Sequence, residues 1–112
     1  MGSSHVIDWA DVASEENPGN GVSKRRIPGA GADLTRVEVP AGTKAGRHSH
    51  AHEQFVQVLV GAGTIETEAG SQVFGPGSVF HFPPGTWHAA EFTAETVLVE
   101  TNLAEEPAVI DR

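Results

Sequence analysis

The stretch Arg47-His48-Ser49-His50-Ala51-His52-Glu53-Gln54-Phe55-Val56-Gln57-Val58-Leu59-Val60 joins two patterns end to end. Its first half is a run of imidazoles. Its second half alternates Val56, Val58 and Val60 with Phe55, Gln57 and Leu59. Successive residues of a β-strand point to opposite sides. The even positions from His48 to Gln54 are therefore expected on one face, which continues into the three valines as a polar mouth opening onto an apolar interior. The odd positions Phe55, Gln57 and Leu59 are left for the outside. There they suit a sheet-to-sheet contact, and a homodimer is expected.

Outward from this stretch the same strand character recurs. Segments 34–39, 64–68, 79–82, 87–92 and 96–101 are rich in Val, Ile, Thr and Phe. Gly61-Ala62-Gly63, Ala69-Gly70-Ser71, Gly75-Pro76-Gly77 and Pro83-Pro84-Gly85 separate several of them. Helical periodicity is confined to a weak turn near Asp8 to Ala13. Short strands at regular spacing with turn residues between them predict an all-β sandwich or barrel. A chain of 112 residues suffices for one such domain. The expected division is an N-terminal segment over 1–21, with a polar loop from 14, a barrel over 22–102 and a loosely held tail over 103–112.

Charge and composition narrow the function. Seven basic against fifteen acidic side chains give a net charge of −8, which repels phosphate backbones and argues against nucleic acid as a partner. Lys24, Arg25, Arg26, Arg36, Lys44 and Arg47 precede position 48, and only Arg112 follows it. Any cationic clamp on a substrate must come from that N-terminal third. The absence of Cys removes disulfides, thiolate nucleophiles and thiolate metal sites. No apolar run is long enough to span a bilayer, no secretory signal opens the chain, and a cytoplasmic location is expected. The opening Met-Gly-Ser-Ser-His is similar to an expression-tag remnant, so His5 is set aside.

Imidazole suits zinc, copper, iron and nickel, and an amide oxygen can complete such a set. His48, His50 and Gln54 are candidate ligands, and one strand cannot surround an ion. His88 is the leading candidate to close the set, since it follows the turn at Pro83-Pro84-Gly85 and shares parity with Ala90 and Phe92. The alternative for Gln54 is an amide that orients a water beside the metal. His52 is read as solvent-facing or hydrogen-bonded behind the ligands, with ligation as the lesser alternative, and His81 as packing or hydrogen-bonded within its strand.

Two spacings, Gly42-x5-His48-x-His50-x3-Gln54-x6-Gly61 and Gly77-x5-Pro83-x-Gly85-x2-His88, resemble the two motifs of the cupin superfamily. The resemblance covers about half the chain and implies a single-domain antiparallel β-barrel, a jelly roll of six to eight strands. It further implies one divalent metal ion per chain (zinc, nickel, manganese or iron) held by His48, His50, Gln54 and His88. Two positions depart from the pattern: Gln54 stands where the family usually has Glu, and Phe92 where it usually has Asn. A neutral amide leaves the ion's charge undiminished and favours Lewis-acid over oxygen chemistry. The pattern is most similar to the small cupins of pectin breakdown, sharing Asp8-Trp9 and Arg26-Ile27-x-Gly29. It departs from them in the last strand, where an Asp, an aromatic and an Arg are expected and only Glu100 could stand in.

Lewis-acid chemistry also needs a proton carrier. The candidates are Glu53, Glu91 and Glu100; parity turns the first two away from the ligands, which leaves Glu100 as the catalytic candidate. Arg36, Trp87 and Phe92 are candidate substrate-lining residues, and Lys44 and Arg47 alternative carboxylate anchors. The expected function is a metalloenzyme for a small oxygenated anion, of isomerase, ring-opening or lyase type. An iron-dependent dioxygenase and a non-catalytic small-molecule sensor are the alternatives.

Overall fold

The computed structural model describes residues 5–105. The tag-like opening, apart from His5, and residues 106–112 of the expected tail lie outside the described residues. A 3-10 turn at Trp9–Asp11, capped by the Asp8 carboxylate on Ala10 N–H, is the helical element among the described residues. Ten strands follow: β1 (Ser14–Glu16), β2 (Ser23–Ile27), β3 (Ala32–Val39), β4 (Lys44–His48), β5 (Gln54–Val60), β6 (Gly63–Thr67), β7 (Gly70–Phe74), β8 (Val79–Phe82), β9 (His88–Phe92) and β10 (Thr96–Leu103). They form two antiparallel sheets, β1-β2-β3-β10-β5-β8 and β4-β9-β6-β7, in the jelly-roll arrangement.

Four segments not expected as strands are strands, among them β2, which is held by β3 over Ser23–Ile27. Ser14-Glu15-Glu16, read as loop, pairs with β2 through its backbone alone, since none of its side chains is buried. The Gly-bearing β4 is held by β9, and β7 buries only Phe74. Tertiary pairing overrides weak local propensity in each case.

The inner face of β5 runs through Gln54, Val56 and Val58, all buried, with Phe55, Gln57 and Leu59 outside. The expectation for Val60 is corrected: it is 52 % exposed. Val58 faces Leu98 and Val60 faces Val97, so β5 carries one extra residue against β10 and the bulge turns Val60 outward. The core joins Val37, Val39, Val56, Val58 and Leu98 of the larger sheet to Ile65, Phe74 and Phe92 of the smaller, with Phe80 and Phe82 from β8. Phe74 meets Phe80 and Phe92 edge to face at 5.1 and 5.7 Å. Gly63 lies where a Cβ would come within 2.1 Å of the Glu91 carbonyl oxygen and 2.7 Å of the Phe74 ring, so only glycine lets β6 approach β9 this closely.

Candidate metal centre

The histidine stretch is not one continuous strand. The chain leaves β4 at His48, crosses from the small sheet to the large one through 49–53, and enters β5 at Gln54. The expected parity from His48 to Gln54 is therefore replaced by a crossing between sheets, and the residues meet because the two sheets close on each other at this end.

His48 stands directly opposite His88 in the β4–β9 pair. Ala45 faces Ala90 and His48 faces His88, three residues on β4 against two on β9. Without that extra residue Arg47 would face His88; the bulge turns the imidazole in instead. His48 Nδ1 lies 2.7 Å from the Gly46 carbonyl oxygen and His88 Nδ1 lies 3.3 Å from that of Thr86. A carbonyl only accepts, so both Nδ1 atoms carry the proton and both Nε2 lone pairs are free. His50 sits in the crossing loop, and its own carbonyl accepts from Gly85 N–H at 2.8 Å, tying the loop to the turn before His88. That turn needs glycine at 85, where φ is +81°.

The ligand atoms of His48, His50 and His88 all lie within 4.8 Å of one another. His88 is 5 % exposed and stacks flat on Phe82 of the opposite sheet, centroids 3.9 Å apart. Burial, then the neighbouring charge of His48, outweigh the Thr86 carbonyl and push His88 down to about 4. Burial and the charges of His48, His52 and Lys24 lower His50 as well. Three ring nitrogens brought together, with the His48 and His88 tautomers fixed from behind and with His50 and His88 resisting protonation, fit a divalent transition-metal ion.

The large sheet supplies the facing wall. Gln54, 4 % exposed, stands opposite Asn102 of β10, which stands opposite Asp33 of β3. Gln54 Nε2 donates to Asn102 Oδ1 at 2.7 Å, and Asn102 Nδ2 donates to Asp33 Oδ1 at 2.9 Å. Asp33 also accepts from Arg26 Nε at 3.0 Å and from the Thr35 hydroxyl at 3.3 Å. Burial pushes the Asp33 carboxyl up, but the hydrogen bonds from Asn102 and Arg26, the Arg26 charge and Thr35 together hold it below its ordinary range. His52 Nε2 lies 3.1 Å from Asn102 Oδ1, behind the ligands.

Two chambers meet at this wall. An inner one of about 660 Å³ is lined by apolar core residues, including Val56, Phe82 and Leu98, and at its open side by Glu15, Glu16 and Asn17. An outer one of about 500 Å³ is lined by His50, His52, Asn102 and Arg26 among others. His48, Gln54, Glu100 and Lys24 line both. Thr96 and Leu98 are buried, so Glu100, at the same parity of β10, faces inward between Thr35 and Val56. Burial raises its carboxyl, against the charge of Lys24 and a hydrogen bond with Asn102, which lower it.

Two substrate-lining expectations are corrected. Arg36 lies on the outer parity of β3, between the buried Thr35 and Val37, and pairs with Glu38 on the same face. Trp87 carries the Arg47 guanidinium 3.9 Å above its ring, and neither residue lines the two chambers. Phe92 is buried in the apolar end of the inner chamber. Lys44 reaches only the inner chamber's wall. Glu53 pairs with His81 at 2.6 Å, where His81 stacks on Phe55 on the outer face. Sequence reasoning missed Lys24, Asn102 and Asp33. Alternation along β2 hides Lys24 among Arg25 and Arg26, although Arg25 turns away to donate to the Trp9 and Val12 carbonyls.

Residues 35–101 match the family model described as "Cupin domain". Among solved structures, the chain is similar to an RmlC-like cupin from Shewanella frigidimarina at 22 % identity, with a TM-score of 0.80 over 96 % of this chain and 97 % of that one. It is similar to KdgF from Halomonas sp. at 21 % identity and a TM-score of 0.73, covering 85 % and 91 %. A predicted oxalate decarboxylase from Thermotoga maritima matches at 16 % identity and a TM-score of 0.77, covering 88 % and 97 %. At these identities the likeness is one of fold. No curated protein matches the chain significantly.

Proposed function

The chain belongs to the cupin family, and from that premise we propose that it is a Lewis-acid metalloenzyme for a small, oxygen-rich anion, with sugar acids as the leading class. The reaction is an isomerisation, ring opening or elimination in which a proton moves next to a carbonyl. The observation that carries this reading is the position of Glu100, an inward-facing carboxyl lining the same chambers as His48 and Gln54.

His48, His50 and His88, with Gln54 as the fourth donor, would hold one divalent ion (zinc, nickel, manganese or iron). Such an ion polarises a carbonyl and stabilises negative charge developing on its oxygen. Glu100 takes the proton. A carboxyl raised by burial is a stronger base than an exposed one and keeps the proton until it is returned. Lys24, the one Lys or Arg among the described residues that lines both chambers, holds the substrate's carboxylate at the rim. Val56, Phe82 and Leu98 form an apolar part of the inner chamber's wall, and low-polarity surroundings strengthen charge interactions beside them.

The reading is tested by NMR in D2O under argon. Metal-loaded protein is incubated with unsaturated uronates from a pectin digest and with small 2-oxo acids. Conversion, or deuterium entering beside the carbonyl, is expected without oxygen and should vanish in His50→Ala with the fold intact. Turnover that requires oxygen would favour an iron-dependent dioxygenase. Stoichiometric binding without conversion would favour a sensor barrel.

A further inference from the structure

We propose that Asn102 is a positioning residue that sets which way up the Gln54 amide stands, so that its oxygen and not its nitrogen is offered to the metal. The inference rests on the metal-site reading above and concerns what Asn102, which does not itself touch the ion, does to the ligand Gln54.

An amide ligand is a two-way choice. Its oxygen has lone pairs for a cation; its NH2 has none and presents two partly positive hydrogens. The two orientations are nearly the same shape, so packing alone does not choose between them. Something polar must, and here the choice is traced to charged groups. Asp33 accepts only, and it is held as a carboxylate by Arg26, which donates only. The Asn102 atom 2.9 Å from Asp33 must therefore be its NH2. The other end of Asn102 is then the oxygen, and the Gln54 atom 2.7 Å from it must be the NH2. Gln54 Oε1 is what remains for the chambers that Gln54 lines.

The same logic fixes His52. Its Nε2, 3.1 Å from the Asn102 oxygen, must carry a proton, so that nitrogen is withdrawn from the ligand set. The order Arg26, Asp33, Asn102, Gln54 thus passes a polarity across β2, β3, β10 and β5, one residue from each strand. A Glu at position 54 would need no such device, because either carboxylate oxygen serves.

That last point supplies the test. Co2+ affinity is measured by competition with a chromophoric chelator, alongside the visible spectrum of the bound ion and the melting temperature without metal. Asn102→Leu is expected to weaken Co2+ binding by about 10–100-fold, the range for residues that orient metal ligands. In a Gln54→Glu background the same change is expected to leave affinity unchanged or to raise it, since the Asn102 oxygen there faces a carboxylate. Equal losses in both backgrounds would overturn the inference, because Asn102 would then support the wall generally. So would wild-type affinity in Asn102→Leu. If leucine prevents folding, Asn102→Ser, too short to reach Gln54, carries the same expectations. Wild-type protein that takes up no Co2+ overturns the metal reading and this inference together; binding by wild type with no effect of Asn102 overturns this inference alone.

Discussion

The small sheet's wall of the mouth presents His48 and His88 on neighbouring strands, each held through Nδ1 by a carbonyl two residues away in its own strand or turn. The large sheet's wall presents Gln54, Asn102 and Asp33 on three neighbouring strands, held by one another across sequence separations of 48 and 69 residues. One wall is organised locally and the other by register. Local anchors suit ligands that need only a free lone pair. A row of side chains suits groups whose orientation or charge must be set, and it is this wall that also carries Glu100.

The sharpest way to break that division is to remove an imidazole. His48→Ala and His88→Ala are each expected to abolish metal loading, measured by mass spectrometry of protein purified without a His tag or chelating resin. Full metal content in either variant would move the ion's seat to the other wall. The next effect falls on Glu100. Glu100→Gln keeps the shape of the wall and removes the base, so turnover should fall by about 10²–10⁴-fold while the metal is retained. Loss of metal in this variant would mean that Glu100 belongs to the ligand set.

The same contrast explains what could be read in advance. The histidines were legible because a motif with fixed spacing carries both the residue and its local anchor: His48 with Gly46, and His88 with the turn at Gly85. The direction of Glu100 was not legible, because Val97, Leu98 and Val99 give no alternation to choose a face, and only pairing with β3 and β5 decides it. Asn102 and Asp33 carry no signal in sequence at all. Each is an ordinary polar residue until register sets them side by side. The apparent strand from His48 to Gln54 misled in the opposite sense, since alternation looked continuous where the chain changes sheets.

The smallest effect is also the one in which the walls act against each other, and it is read in acid without metal. His88 lies near 4 when folded, against its ordinary 6.5, and His50 is lowered too. Between these values the unfolded chain binds more protons than the folded one, so the histidine wall loses stability as pH falls from about 6.5 towards 4. Glu100 has the reverse sign. Its folded pKa is raised above 4.5, so the folded state binds more protons than the unfolded one over that range. Its contribution is present below 4.5 and is lost as pH rises through the folded value. Acid therefore weakens one wall and relieves the other. Urea midpoints of metal-free protein in EDTA, taken at pH 4.5, 5.5, 6.5 and 7.5, should fall towards the acid end. Glu100→Gln removes the relief and should steepen the fall, whereas His88→Leu should flatten it. Equal slopes in wild type and both variants would mean that neither wall titrates differently on folding, and the opposition between them would be lost.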